Sequence, residues 1–381
     1  MQVTPPLQVI EAHKGGIWSL CASPSGLIVS AGDDGLLKSW KVETHTGGFL
    51  PLAEAVTPHT EVLLIHQSPH GVLVSAGHEG GIATWEWDSA SGGLAQRQQL
   101  ILSDERRHYN DRLLETHSGY LVAWASGTAG RPAVCQWSDT ERAFNFLHEL
   151  PIERASTFME MPDGALLSGD ERGQICCWRL EAPPGSWDKV AVLQAHDGPI
   201  HALAWTRGGA LISAGGNEPL LKLWRKTRGG EGWELAQVLA EHRSQILEVL
   251  ECGSAALLSS DRGERSLLGW RHRPELLVWS MAPEGLHLVQ RQTGRLRGYF
   301  EGDLLLEDDG VSALSLWRKA EETYERIAVL DGIRRGGMNT FVLLADGTLV
   351  AGGLDGRLVS WHLGSHSRQR ASNGKSHDRT P

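Results

Sequence analysis

Cysteine pairs, long apolar runs and an excess of basic residues are all missing from this sequence. The 381 residues include five cysteines, and none of them form a C-x-x-C pair, so a structural zinc site of that type is not expected. No run of about 18 apolar residues occurs, which predicts no transmembrane helix. The first residues lack a basic start followed by an apolar run, so we expect no signal peptide. These absences favour a soluble, reduced protein of the cytoplasm.

The charge balance restricts the class of partner. The chain has 36 Lys and Arg against 46 Asp and Glu, a net charge of -10. A protein that binds nucleic acid across a broad surface needs clustered positive charge. We therefore expect no nucleic-acid partner, although a local basic patch remains compatible with the overall charge.

Glycine and tryptophan are abundant, with 45 and 15 residues, and they recur in a fixed pattern. The stretch SAGDDGLLKSW (30–40) is followed by similar stretches at 75–85, 168–178, 213–224 and 351–361. The tryptophans that end each unit form one series: Trp40, Trp85, Trp137, Trp178, Trp224, Trp279, Trp317 and Trp361. The shortest interval in this series is 38 residues and the longest is 55. A repeat of about 40–45 residues with short strands between glycine turns is typical of a propeller blade.

Each unit contains four short runs of β-type residues separated by tight polar turns, as expected for an antiparallel meander. Eight units predict an all-β fold, a single closed β-propeller with eight four-stranded blades, spanning residues 1–364. The last unit ends near residue 363 without a fourth strand, and the segment PLQVIEA (6–12) resembles the fourth strands of other units. We expect this N-terminal strand to complete the eighth blade and to cover its open edge. The polar segment 365–381 is predicted to be a disordered tail.

The repeat resembles the WD40 family over residues 5–363. A histidine precedes the first strand in AHKGGI, PHTEVL, AHDGPI and EHRSQI, and an Asp-Gly turn and a Trp close the unit. The resemblance implies a hydrogen-bonded tetrad in blade one, formed by His13, Ser30, Asp34 and Trp40. Departures are clear, since the Trp is never followed by the family's Asp, and a count of seven blades instead of eight stays open.

Three kinds of chemical site do not fit the sequence. Histidines in different blades lie around a wide ring, too far apart to share one metal ion. The acidic turns at 33–34 and 307–309 lack the alternating spacing of a calcium loop, and Gly374-Lys375-Ser376 lacks the first glycine of a phosphate loop. We therefore expect no cofactor, no metal and no enzymatic activity, with a cofactor- or metal-dependent propeller enzyme and a nucleic-acid-associated propeller as the alternatives.

The most irregular unit is the sixth, which carries the insertion DRGERSLLGWRHRP (261–274). Arg and Trp are the residues that most often anchor protein interfaces. The candidate partner-binding residues from this insertion and from nearby loops are Arg243, Arg262, Arg265, Trp270, Arg271, His272, Arg273, Arg295, Arg297, Arg334 and Arg335. The alternative is a solvated loop with Trp270 packed against its own blade.

The sequence thus predicts a non-catalytic scaffold that presents propeller loops to a protein or peptide partner. The arginine-rich composition of the insertion suits an acidic or phosphorylated segment. The identity of the partner, the pathway and the oligomeric state stay open, because a fold of this kind does not specify function.

Overall fold

The structure is a computed structural model, and it describes residues 2–363 with several gaps. The gaps are residues 24, 44–45, 80, 89, 103–111, 126–129, 181–185, 218, 229–231, 253–255, 267–268, 301–303, 309–313 and 333–336. The described residues form β-strands and turns and contain no helix. A helix long and apolar enough to cross a membrane is accordingly not found among them.

The described strands form eight four-stranded antiparallel sheets, arranged as the blades of a propeller. From the innermost strand outwards, blade one contains β3 (Ile17–Ala22), β4 (Leu27–Gly32), β5 (Leu36–Val42) and β6 (Phe49–Val56), and blade two contains β7 (Val62–Gln67), β8 (Val72–Gly77), β9 (Gly81–Trp87) and β10 (Leu94–Ile101). Blade three contains β11 (Arg112–Glu115), β12 (Tyr120–Trp124), β13 (Ala133–Ser138) and β14 (Ala143–Glu149). Blade four contains β15 (Ala155–Glu160), β16 (Leu166–Asp170), β17 (Gln174–Leu180) and β18 (Trp187–Gln194).

The remaining blades follow the same order, with one added hairpin in blade six. Blade five contains β19 (Ile200–Trp205), β20 (Ala210–Gly215), β21 (Leu220–Lys226) and β22 (Trp233–Leu239), and blade six contains β23 (Ile246–Cys252), β24 (Ala256–Asp261), β27 (Glu275–Ala282) and β28 (Gly285–Thr293), with the hairpin β25 (Glu264–Ser266) and β26 (Gly269–His272). Blade seven contains β29 (Arg295–Phe300), β30 (Leu304–Asp308), β31 (Leu314–Ala320) and β32 (Thr323–Leu330). Blade eight contains β33 (Met338–Leu343), β34 (Thr348–Gly353) and β35 (Arg357–His362). This arrangement confirms the predicted eight-bladed all-β propeller.

Two N-terminal strands close the ring. Strand β2 (Gln8–Glu11) pairs antiparallel with β35 and supplies the fourth strand of blade eight, which confirms the predicted closure. Strand β1 (Gln2–Thr4) pairs parallel with β32 and adds a fifth strand to blade seven. The N-terminus therefore holds two neighbouring blades, and the sequence pattern predicted only one of these contacts.

The core lies between the blades. The second strand of blade one, LIVSAG, is buried at every position, whereas the outer strand β18 alternates between exposed and half-buried residues along its last part. One apolar cluster joins Val29 and Leu37 of blade one to Val62 and Trp85 of blade two. Both faces of a second strand pack against neighbours, so its sequence is continuously apolar or small instead of alternating.

The strand register corrects one position of the tryptophan series. In blade one, Ile28 pairs with Trp40. The matching residue of blade three is Leu121, which pairs with Cys135. Trp137 therefore lies two residues beyond the repeated position, where it stacks on His70 with ring centroids 4.6 Å apart. Cys135 occupies the buried position instead.

The connections define two faces of the ring. Turns between second and third strands share one face with the segments that lead into each first strand, and the other connections lie on the opposite face. Gly35 in the Asp-Asp-Gly turn has a φ of +70°, and a Cβ there would lie 2.8 Å from the carbonyl oxygen of His59. Only glycine fits this close approach between blades.

Candidate partner-binding face

Four side chains of blade one form a continuous hydrogen-bonded chain. The indole Nε1 of Trp40 donates to Ser30 Oγ at 2.9 Å, and His13 Nε2 lies 2.7 Å from the same oxygen. His13 Nδ1 lies 2.7 Å from Asp34 Oδ1. Every polar atom is satisfied if Ser30 donates to Nε2 and Nδ1–H donates to Asp34, which makes the histidine a neutral imidazole.

The environment of these four hydrogen-bonded side chains favours a neutral His13. Burial lowers the pKa of His13 despite the nearby carboxylate. Burial also acts to raise the pKa of Asp34, but hydrogen bonds from His13 and from the amide of Lys14 outweigh it and leave that pKa below its ordinary value. A neutral histidine beside an ionised aspartate is the result.

Blade six contains a second complete chain of the same type. Trp279 Nε1 donates to Ser259 Oγ at 2.7 Å, and His242 Nε2 lies 2.7 Å from that hydroxyl. His242 Nδ1 lies 3.0 Å from Asp261 Oδ2. Asp261 follows its serine by two residues, whereas Asp34 follows Ser30 by four, so the repeat pattern did not reveal it.

Several of the remaining blades keep parts of this hydrogen-bonded chain. Blades two and five retain the histidine, serine and tryptophan links, with His59 and His196 bound to Ser75 and Ser213 at 3.2 and 2.8 Å. In blade seven, Trp317 donates to Glu307 at 2.8 Å, and in blade eight, Trp361 donates to the carbonyl of Asp331 at 2.9 Å. The indole donor thus finds an acceptor even where the serine is absent.

Asp261 also fixes the base of the insertion. Its Oδ1 accepts hydrogen bonds from the amides of Gly263 and Glu275, both at 3.0 Å. These two residues stand on either side of the hairpin β25–β26. Gly263 has a φ of +68°, and a Cβ there would lie 2.6 Å from the nitrogen of Pro274. The buried tetrad of blade six therefore holds the stem of the hairpin through a single carboxylate.

The hairpin presents several of the predicted residues on the surface. Glu264 pairs with His272, and Arg265 pairs with Trp270 in the strand register. Arg271 is 68% exposed and forms an ion pair with Glu264 at 3.1 Å. Arg273 is also exposed, while Trp270 and His272 are half-buried. At the adjoining turn, Arg243 is 61% exposed and lies 3.8 Å from Glu275. We call the hairpin strands, Arg243 and Arg273 together the hairpin surface.

Three other predicted arginines have hydrogen-bond partners within the protein. Arg295 and Arg297 belong to strand β29, so their assignment to a loop was wrong. Arg297 donates twice to Asp308 Oδ2, at 2.9 and 2.7 Å. Arg295 donates to the carbonyl oxygen of Arg262, and Arg262 donates to Gln245 Oε1 at 3.0 Å. These bonds within the protein leave less of the charge of the three arginines available to a ligand.

The remaining predictions lie outside the described atoms. Arg334 and Arg335 fall in the gap 333–336, and the side chain of Arg265 is likewise not described. Among the described residues, no group of three or more His, Cys, Asp or Glu side chains is placed to hold a metal ion.

Comparison with known proteins identifies the repeat. The model of the WD domain, G-beta repeat family matches residues 4–41 and 187–225, which belong to opposite sides of the same ring. The crystal structure of Sqt1 from Chaetomium thermophilum superposes with a TM-score of 0.75 at 14% identity and covers 95% of this chain and 99% of its own. Two segments of this chain thus match the WD40 repeat, and the whole chain has the fold of an eight-bladed β-propeller.

Curated relatives of this WD40 propeller match only in part. Echinoderm microtubule-associated protein-like 2 of Rattus norvegicus is 32% identical over 133 residues, which are 33% of this chain and 19% of that protein. Probable cytosolic iron-sulfur protein assembly protein 1 of Scheffersomyces stipitis is 28% identical over 106 residues, 24% of this chain and 28% of its own length. The chain therefore spans a small share of these relatives, and the comparisons define its fold more closely than its partner.

The WD40 propeller also carries polar links between blades that the sequence pattern did not reveal. Glu115 is 3% exposed and lies 2.8 Å from His66 Nε2, while Ser68 donates to it at 2.8 Å. In the next blade, Glu160 accepts hydrogen bonds from the amide and Nδ1 of His117. A glutamate at the end of a first strand thus accepts hydrogen bonds from residues at or next to the turn that follows the first strand of the preceding blade. The repeated position of these glutamates was the signal available in the sequence.

Proposed function

We propose that this WD40 propeller is a non-catalytic scaffold whose hairpin surface binds an acidic segment of a partner protein. The observation that carries the proposal is the attachment of the hairpin stem to the buried tetrad through Asp261. A loop held in this way loses little conformational entropy on binding, which favours affinity.

The charges of the hairpin surface support an acidic partner. Arg243 and Arg271 are mostly exposed, and their ion pairs with Glu275 and Glu264 are open to solvent on the arginine side. Arg273 is exposed and forms no ion pair with the described residues. Exposed pairs of this kind are weak, so a bidentate carboxylate or phosphate can replace them.

A structure in the same fold class gives a precedent for peptide binding. Sqt1 from Chaetomium thermophilum has been crystallised bound to the N-terminus of the ribosomal protein L10, and that structure superposes on this chain with a TM-score of 0.72 at 14% identity. The cytoplasm is the expected compartment, in keeping with the name of the Scheffersomyces stipitis relative.

Affinity capture from the source cells with mass spectrometry is the first test, followed by direct binding of the captured partner to purified variants. The double variant Arg271→Glu and Arg273→Glu should weaken binding at least about tenfold. The matched control is Arg154→Glu with Arg172→Glu, which changes the net charge equally on the same face but in blade four. Unchanged binding in the hairpin variant, or equal losses in both, would contradict the assignment of the surface.

A further inference from the structure

Two neighbouring grooves lie on the face opposite to the hairpin surface. The first, of about 400 Å³, lies between blades four and five, and its lining includes Met161, Val190 and Trp233. The second, of about 670 Å³, lies between blades five and six and includes Leu223 and Leu286. Lys226 lines both grooves, so they meet at this residue. We call them the four–five groove and the five–six groove.

Each groove has apolar side chains among the residues that line it. In the four–five groove, Val190 is 52% exposed and lines the same depression as Trp233. In the five–six groove, Leu223 and Leu286 are joined by Met281 and Pro283. Methionine adapts its shape to different ligands, and concave apolar surfaces with a few polar groups are the usual form of a binding site.

The rims of the grooves are positively charged in an otherwise acidic protein. Arg179, Arg207, Arg225 and Lys226 line the grooves together with only two acidic residues, Asp163 and Glu251. Both acids are already engaged, since Asp163 pairs with Arg179 at 3.2 Å and Glu251 accepts the amide of Arg207 at 2.7 Å. The chain as a whole has a net charge of -10, so this local excess of cations contrasts with the overall charge and attracts an anionic ligand.

Lys226 is held at the junction of the grooves by two tryptophans. Its Nζ lies 5.9 Å from the ring centroid of Trp205 and 5.8 Å from that of Trp233. The two indoles pack edge to face with centroids 5.7 Å apart. Cation–π contacts of this kind orient an ammonium group, and the Nζ still lies 3.8 Å from Asp163. The ammonium is therefore positioned before any ligand arrives.

We propose that the paired grooves bind an extended peptide of a partner protein, with a carboxylate on Lys226 and one apolar side chain in each groove. Alternate residues of an extended chain point the same way and lie about 6.7 Å apart. A peptide that fits the site therefore has the sequence pattern apolar–x–acid–x–apolar, where x is any residue. This site is separate from the hairpin surface and lies on the other face of the ring, so the scaffold can hold two partners at once.

The test uses a defined library as its probe: fluorescein-labelled nine-residue peptides with a fixed Leu-x-Glu-x-Leu centre and varied flanking positions. Fluorescence polarisation is measured against the wild-type protein and against Lys226→Glu, Lys226→Met and Met281→Arg. Lys226→Met keeps the aliphatic stem on the tryptophans and removes only the charge. We expect binders whose Kd rises at least about tenfold in all three variants, and at least about tenfold when the peptide Glu is replaced by Lys.

The outcome also separates this site from the proposed function. The hairpin variant with Arg271→Glu and Arg273→Glu should bind the same peptides within about twofold, and thermal unfolding checks that each variant is folded. A library without any saturable binder, or binders that Lys226→Met and Met281→Arg leave unchanged, would overturn the proposal. Loss of the same binders in the hairpin variant alone would assign them to the other face and would equally overturn it.

Discussion

His242 and Asp261 are linked by a hydrogen bond of 3.0 Å, and the other oxygen of Asp261 receives the amides on both sides of the blade-six hairpin. The aspartate side chain is 1% exposed. Burial acts to raise its pKa, yet the bonds from His242 and from the Glu275 amide leave the pKa of Asp261 below its ordinary value. One buried carboxylate thus joins the hydrogen-bonded chain that also occurs in blade one to the irregular insertion that distinguishes blade six.

Replacing this carboxylate should be strongly destabilising. Asp261→Ala leaves one histidine and two backbone amides without their acceptor, and we expect a loss of about 2–4 kcal/mol in the free energy of unfolding. Asp261→Asn retains the shape and one acceptor oxygen and should lose less. Chemical unfolding of the three proteins measures the difference, and an unchanged midpoint for Asp261→Ala would contradict the role of this residue.

The equivalent change in blade one should have a smaller effect. Asp34→Ala removes the partner of His13 and of the Lys14 amide, but it does not release an inserted hairpin. We expect a loss of about 1–3 kcal/mol, measured by the same unfolding experiment. A melting temperature that does not move would argue against a stabilising tetrad in this blade.

The contrast between the two aspartates shows what the sequence could predict. Asp34 lies in a turn that recurs with a fixed spacing, so its role follows from the repeat. Asp261 lies before an insertion, where the spacing to the tryptophan is interrupted. Cys135 replaces a tryptophan in blade three, and only the strand register identifies it, because Trp137 nearby offers a false match.

Charged contacts were the least predictable part of the candidate site. The sequence placed the arginines on loops of one propeller face, but Arg295 and Arg297 belong to strand β29 and bind other residues of the protein, while Arg271 is mostly exposed. The grooves around Lys226 combine residues from three blades and have no local pattern. Likewise, the three residues of β1 are too few to show a strand periodicity, so their pairing with β32 depends on tertiary structure.

Stability should fall as the pH drops from about 6.5 to about 4. Burial, helped by the nearby charge of Lys222, lowers the pKa of His196 to about 4, whereas the unfolded chain takes up its proton near pH 6.5. In this window the unfolded state binds more protons, so acidification favours unfolding. Below the folded-state pKa both states are protonated, and this contribution no longer changes with pH.

Unfolding midpoints measured between pH 7 and pH 4 test this dependence. His196→Gln should give a flatter pH profile than the wild type, because it removes one of the buried groups that titrate. His287→Gln, a change at a side chain that is 55% exposed, should leave the slope unchanged. Parallel slopes for wild type and His196→Gln would exclude His196 as a source of acid sensitivity.

Two truncations should separate the roles of the N-terminal strands. Removing residues 2–5 deletes β1 but keeps β2, so blade seven retains four strands and the melting temperature should fall only slightly. Removing residues 2–11 also deletes the strand that pairs with Arg357–His362, exposing the edge of blade eight. We expect this longer truncation to unfold or aggregate at moderate temperature. Calorimetry of both proteins gives the comparison, and equal losses would show that ring closure does not depend on β2 in particular.

The link between blades two and three should contribute measurably through Glu115. This carboxylate is 3% exposed and accepts hydrogen bonds from His66 and Ser68, so Glu115→Ala should lower the free energy of unfolding by about 2 kcal/mol. Glu86 is 53% exposed and pairs with Arg97 at 2.7 Å, and Glu86→Ala as a control should lose less than about 0.5 kcal/mol. A double-mutant cycle with Ser68→Ala should give a coupling energy above about 0.5 kcal/mol, since the two residues share one bond across the blades. Additive losses would mean that the contact between Ser68 and Glu115 does not stabilise the ring.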